Sequence, residues 1–428
     1  MMKKYCCVLL CLTILLGAFS AFAEGPVEIE YWFGLGGKLG DLFISLIDEY
    51  NASQDKVRVT GVQYADYFTL RQSYQAALAS GTEPACMHTQ IGNIPGIESY
   101  LEPLNDRYEN DADFHAEDLL AGCISCMYDK DGETLLGVPL FASSQVMYYR
   151  LDAFEGYDIE ETFSTWQNLY KVLKEISKKD EAGNTIFYGW EPMWKTFNFV
   201  DAVHSAGGEY FTDLDCKTVN FLAPEWVDVM TFFSNAFKEG IMTMNHGGTG
   251  WEYWYKNIDD VIQGRAAGYT GSPGDMGDLD LTIVGCHSQP GFGDHGVAST
   301  TDTHLGVISR RIPQEKKDAA WDFLKFLNSN HVQALIAMTG GYVVTRKTAL
   351  EDPEFAAYCK ENPQVPIVIG AVENAIKLHV DPTGGYVDNA YYDMCDRVLL
   401  EGVDVIEALT ICQEEAQAAL DEYWADKD

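Results

Sequence analysis

The sequence predicts an α/β fold divided into two units. Three observations carry this: strand and helix patterns alternate at the N-terminal end, the chain has 428 residues, and 47% of them are hydrophobic. A chain of that length exceeds one core of ordinary size. Neither an internal repeat nor a low-complexity linker marks the boundary.

Val27 to Phe33 alternates apolar and polar residues with the period of a strand. Gly34, Gly36, Gly37 and Gly40 follow as a loop, and Leu39, Phe43, Ile47 and Tyr50 then recur at helical spacing up to Asn51–Ser53. Val57 and Val59 open a second strand, and Leu70 to Ala79 a second helix. This βαβα order predicts a mostly parallel sheet flanked by helices. Further along, Val146 to Tyr149 reads as a strand. Amphipathic helices are expected over Trp166–Ile176, Val227–Phe237 and Ile258–Ala267. A helix pair surrounds Asn328–Asn330, with arms at Ala319–Leu327 and Val332–Met338, and a last helix runs from about Val403 to Trp424.

Residues 1–23 have the pattern of a secretory signal: Lys3 and Lys4, an apolar run from Val8 to Phe19, and an Ala21-Phe22-Ala23 cleavage site. The protein is therefore expected to be exported, to the periplasm or another extracytoplasmic space, with a lipid anchor as the alternative. No later segment reaches eighteen consecutive apolar residues, so no second membrane span is expected. The formal net charge of −36 argues against nucleic acid and anionic membrane surfaces as partners.

Several chemistries lack support in the sequence. The glycines after Phe33 match a dinucleotide loop only loosely, and a tight strand-to-helix turn explains them better. The chain has no Walker loop, no G-x-S-x-G elbow and no H-E-x-x-H helix. Cys123 and Cys126 form an isolated C-x-x-C without the second pair or histidine spacing of a zinc site, and read as buried thiols or a local disulfide. No metal or cofactor is expected.

Three segments in order point to a family. They are Leu305-Gly-Val-Ile-Ser309, then Glu315 to Leu327 with its Ala-Ala-Trp-Asp-Phe-Leu-Lys-Phe-Leu run, then Thr339-Gly-Gly-Tyr-Val-Val-Thr-Arg-Lys347. Together they resemble the family 1 extracellular solute-binding proteins of bacterial ABC importers, with Val344 where many members carry proline. Ile29–Phe33, Ser80–Ala85, Val138–Phe154 and Gly264–Ala267 resemble further blocks of that family, so the likeness covers almost the whole exported chain.

The resemblance implies a two-lobed periplasmic-binding-protein fold of type II, each lobe a sheet flanked by helices, with a ligand cleft between them. Lobe one is expected from 26–140 plus 288–336, and lobe two from 141–287 plus 337–428. The implied function is capture of a sugar or oligosaccharide and its delivery to a membrane permease, by a monomer that is not an enzyme.

The family's cleft contacts fall here on Tyr64, Asp66, Tyr67, Gln90, Ser143, Ser144, Trp190, Trp194, Ser272, Asp302, Tyr342 and Asn389. The glycerol-3-phosphate branch of the family has a similar Gly-rich opening and tryptophan loop, which makes a glycerol phosphate or glycerophosphodiester the alternative ligand. That branch directs a late arginine at the phosphate, whereas here no arginine lies between Lys347 and Asp396, and Arg397 falls in a helical pattern. An alternative of another class is a secreted carbohydrate-active enzyme using Glu191 and Asp302 as paired carboxylates.

Overall fold

Strand β1 (Val27–Phe33) runs parallel to β2 (Val57–Gln63) and β3 (Cys86–Gln90), and helices α1 (Gly37–Ser53) and α2 (Tyr67–Ser80) make the connections. These assignments come from a computed structural model, which describes residues 25–425 except 95–96, 130–131, 213–215, 249–251, 374 and 378–380. The export segment expected at 1–23 lies outside the described residues. Alternation along β1 buries Ile29, Tyr31 and Phe33 on one face, where Phe43 of α1 packs against Tyr31.

At β4 (Val138–Ser144) the chain leaves this sheet. A single residue, Gln145, separates it from β5 (Val146–Arg150), the central strand of a second, three-stranded sheet. The flanking strands of that sheet, β6 (Gly268–Gly271) and β7 (Val284–Ser288), both run antiparallel to β5. Helices α3 (Trp166–Ile176), α4 (Asn198–Ser205), α5 (Pro224–Lys238) and α6 (Glu252–Ile262) fall between β5 and β6. In α3 the Thr165 hydroxyl accepts the Asn168 N–H, and Trp166, Leu169 and Leu173 are buried at helical spacing.

The chain then returns. Strand β8 (Thr300–Ile308) pairs antiparallel with β3 on one edge and with β4 on the other. Helices α7 (Gln314–Leu327) and α8 (Asn330–Gly340) follow, and the short β9 (Ile376–Lys377) lies parallel to the start of β8. The C-terminal helices α9 (Tyr386–Leu399) and α10 (Val405–Ala425) pack on each other and on α5. One apolar core joins Phe33, Phe43, Phe141, Phe323 and Leu324 under the first sheet. A separate one joins Trp166, Trp226, Phe233, Tyr391 and Leu409.

The expected mostly parallel sheet holds for β1 to β3 and for the short β9 beside β8. The first sheet gains its antiparallel pairs through β8, which returns from the other sheet to lie between β3 and β4, and the second sheet is wholly antiparallel. The helix expected over Ile258–Ala267 sits earlier, at α6, because Gly264 adopts φ +71° and turns the chain into β6. Cys123 and Cys126 are buried thiols, and burial pushes the Cys123 thiol up, away from reactivity.

One buried carboxylate ties the two halves together. Asp201, on α4 in the second core, accepts the Thr300 backbone N–H at 3.0 Å and the Thr300 hydroxyl at 2.7 Å at the start of β8. Burial pushes this carboxyl up to about 7, and the two Thr300 bonds only partly offset the effect. The folded chain thus holds the Asp201 proton more tightly than the unfolded chain, so Asp201's contribution to stability falls as pH rises from about 4 to about 7. Replacing Asp201 with Asn should leave stability near pH 4 almost unchanged and raise it at pH 8, by up to about 4 kcal/mol. Thermal or urea unfolding followed across that range checks this; an Asp201→Asn protein less stable at pH 8 would refute the assignment.

Candidate functional site

A cavity of about 620 Å³ lies where the two sheets face each other. Its wall from the first sheet comes from the loop after β1, the start of α2, the end of β3 and the first half of β8. Its opposite wall comes from the loop before α4, from α6 and from the turn after β6, and the β4–β5 crossing forms the floor.

Eight sequence-predicted site residues line this cavity: Asp66, Tyr67, Gln90, Ser143, Ser144, Ser272, Asp302 and Tyr342. Local chemistry fixes several of them. Asp66 caps α2 by accepting the Thr69 N–H at 2.7 Å. Ser144 donates to the Thr300 carbonyl at 2.9 Å, and Ser143 offers its own carbonyl to the Thr301 hydroxyl, so the crossing is stitched to β8. The Gln90 amide donates to Asp302 Oδ2 at 3.1 Å, while Asp302 Oδ1 has no partner. Burial pushes the Asp302 carboxyl up to about 6, partly opposed by Gln90.

Tyr342 enters from the end of α8. Gly341 closes that helix in the left-handed region at φ +73°, with its N–H bonded to the Ala337 carbonyl. The Tyr342 ring packs on Phe141 with centroids 4.6 Å apart. It also reaches across the cavity to Gly274, where an added Cβ would come within 3.0 Å of the ring.

Four predicted residues lie outside the cavity lining. Trp190 is fully buried in the second core, its indole N–H donating to the Thr270 hydroxyl at 3.0 Å. Gly268 makes room for it, since a Cβ there would lie 2.2 Å from the indole. Trp190 is therefore a packing residue. Trp194 donates to Asp396 at 2.8 Å and braces Tyr253 edge-to-face, one layer behind the wall. Tyr64 packs against Trp32 at 5.3 Å between centroids, and Asn389 stands on the exposed side of α9. Glu191 is buried beside Asn245 rather than in the lining, so the Glu191 and Asp302 carboxylates do not flank one substrate.

Sequence reading missed the aromatic run on α6. Tyr253 is buried, while Trp254 and Tyr255 face the cavity from the polar side of the helix. The signal was present: Tyr253, Asn257, Ile258 and Val261 form the buried stripe, with Trp254 only partly buried at its edge and Tyr255 outside it. Asp275 orients this wall. It accepts the Trp254 indole N–H at 2.8 Å, the Tyr269 hydroxyl at 3.0 Å and the Ser272 N–H at 3.1 Å. Burial still pushes its carboxyl up to about 6.

The charged lining consists of Asp66, Asp275, Asp278 and Asp302 against Lys38 and Lys195, with no arginine among the described residues. Lys38, on α1, donates across the gap to the Gly277 carbonyl at 3.2 Å. Lys195 lies 4.5 Å from the Trp194 ring centroid. Arg397 is engaged elsewhere, in a two-pronged pair with Glu415 at 3.0 Å per bond.

The family profile described as bacterial extracellular solute-binding protein matches residues 45–366. The chain belongs to that family. Its members capture small solutes outside the cytoplasm for ABC importers. Among sequence relatives, the sn-glycerol-3-phosphate-binding periplasmic protein UgpB of Rhizobium meliloti is 24% identical over 358 residues, covering 81% of each chain. Among solved structures, the sugar-binding protein MalE from Xanthomonas citri superposes with a TM-score of 0.80 at 17% identity, covering 94% of this chain and 100% of that one. UgpB from Mycobacterium tuberculosis in complex with glycerophosphocholine gives 0.78 at 18%, covering 94% and 99%. Those neighbours share the two-lobed fold, with each sheet flanked by helices. Their relatives are binding proteins, and among the described residues here no helix is long and apolar enough to cross a membrane.

The geometry at Gly341 yields a direct test. An added Cβ there would lie 2.3 Å from the Pro273 carbonyl, and the positive φ disfavours any side chain. Gly341→Ala should cost about 1–3 kcal/mol and displace Tyr342. Thermal unfolding and the near-ultraviolet circular dichroism of the cleft tyrosines check it; a protein unchanged in both would contradict the packing described.

Proposed function

We propose that this protein captures a neutral sugar or short oligosaccharide in the cavity between its lobes and hands it to the membrane permease of an ABC importer. The observation that carries this reading is the lining itself. Flat rings of Tyr67, Trp254, Tyr255 and Tyr342 stand beside carboxylates at Asp66 and Asp302. A pyranose has an apolar face for such rings and hydroxyls that donate to carboxylates. A phosphate would instead call for a guanidinium, and Arg397 is occupied by Glu415.

The second reading, a glycerol phosphate or glycerophosphodiester, is favoured by the names of the sequence relatives and by Lys38 and Lys195 in the lining. Four lining aspartates weigh against it, because each repels an anion.

The division into lobes at 26–140 plus 288–336 and 141–287 plus 337–428 is supported by the separate cores around Phe33 and Trp166. Export through residues 1–23, action as a monomer without catalysis, and the absence of nucleic-acid partners complete the reading, the last supported by the −36 charge. Trp254→Ala should weaken the bound sugar by about tenfold or more. Mass spectrometry of ligand co-purified with the native protein identifies the solute, and calorimetry with mono- and oligosaccharides, sn-glycerol-3-phosphate and glycerophosphocholine ranks the two classes. Heat from the phosphates with none from any sugar would overturn the preferred ligand.

A further inference from the structure

Behind the first-sheet wall lies a buried pair of histidines that neither reading above uses. His88 on β3 and His304 on β8 are 0% and 3% exposed, and they stack nearly parallel with centroids 5.0 Å apart. Their facing nitrogens, His88 Nε2 and His304 Nδ1, are 2.9 Å apart. Phe141 covers both rings, and Tyr67 tilts over both. His304 lines the cavity, and its outer nitrogen, Nε2, is 4.0 Å from Asp302 Oδ2.

One proton must lie between the two rings, and two tautomer arrangements are open to the pair. In one, His88 donates from Nε2, His304 accepts at Nδ1, and His304 carries its own proton on Nε2. In the other, His304 donates from Nδ1, which leaves its Nε2 a bare acceptor and puts the His88 proton on Nδ1. Two separate features select between them. His88 Nδ1 is buried without a partner, and an orphaned buried N–H is costlier and rarer than an orphaned lone pair. The Asp302 carboxylate also stands beside His304 Nε2, where a proton is attracted and a lone pair repelled. Burial holds both rings below the ordinary histidine range, so both are neutral.

We propose that His304 and Asp302 form a hydroxyl-recognition subsite in the cavity, and that His88 acts behind them as a positioning residue that fixes the proton of His304 on the cavity side. The ligand hydroxyl donates to Asp302 Oδ2, the carboxylate oxygen nearest His304 Nε2, and accepts from His304 Nε2–H. Gln90 takes one lone pair of Oδ2 and fixes its orientation, leaving a second lone pair for the hydroxyl. A paired acceptor and donor of this kind selects a hydroxyl over an ether, a hydrogen or a phosphate oxygen. The ether and the phosphate oxygen offer no proton to Asp302, and a deoxy carbon offers neither partner. The subsite rests on the sugar reading above; the tautomer relay does not.

The experiment therefore reads the two separately. Long-range nitrogen–proton correlation spectra of ligand-free protein labelled with nitrogen-15 histidine should show both His88 and His304 as Nε2–H tautomers. A His88→Gln variant keeps an amide donor at the same reach and should leave His304 in that form; a His88→Phe variant should release it to the Nδ1–H form or a mixture. If His88→Phe does not fold, the wild-type and His88→Gln spectra still decide. An Nδ1–H signal from either ring in the wild type overturns the relay.

Calorimetry with maltose and its monodeoxy analogues then tests the subsite. Asp302→Asn and His304→Phe should each weaken maltose by about tenfold or more. The penalty should vanish for the one deoxy analogue lacking the recognised hydroxyl. Equal losses across all analogues overturn the subsite even where the tautomers are as stated. Absence of maltose binding by the wild type, with the tautomers as stated, overturns the subsite as a maltose site and counts against the sugar reading, while the relay stands.

Discussion

Everything in the cavity depends on β8 being hydrogen-bonded along both edges. Thr300 to Ile308 pairs with β3 on one side and β4 on the other, so its register is fixed twice. Strand alternation then sets Thr300, Asp302 and His304 toward the cavity as a group. A slip of one residue would send all three into the opposite face and bring Thr301 and Thr303 forward. The doubly paired strand is also where the two halves meet: Asp201 holds its first residue from the second core, and Ser143 and Ser144 hold its start from the crossing. Site and inter-sheet junction are thus one piece of backbone.

The opposite wall is built by another means. Its side chains hang from α6 and from the turn after β6, and Asp275 gathers them by accepting from Trp254, Tyr269 and Ser272 at once. A buried carboxylate with three donors fixes aromatic rings in orientation more firmly than apolar contact alone. One wall is therefore set by strand register and the other by a single acceptor.

The sequence made the N-terminal strands and the amphipathic helices readable, since each has a buried stripe with its own period. Trp166–Ile176 coincides with α3 to the residue. The order of the sheets was not readable, because β4 and β8 reach their partners from opposite ends of a long detour, and no local pattern records that pairing. Site residues on strand ends and caps, such as Gln90, Asp302 and Asp66, were legible through the family resemblance. Trp190 was not: a loop without period looks alike whether it is open or, as here, held by bridges from Trp190 to Met242 and from Glu191 to Tyr269. The histidine pair is separated by more than two hundred positions, and only the β3–β8 register brings its members together.

The Lys38 contact to the Gly277 carbonyl has a consequence for how tightly this protein can hold its cargo. That bond forms only while the rims are near each other, and an exposed bond of this kind contributes about 0.5–1.5 kcal/mol. Such a bias enlarges the share of molecules already shut before any solute arrives, and apparent affinity scales with that share. A permease that pulls the rims apart must overcome the same small bias at release. The lysine thus sets a trade between retention in dilute surroundings and ease of unloading, through a contact that joins the two rims.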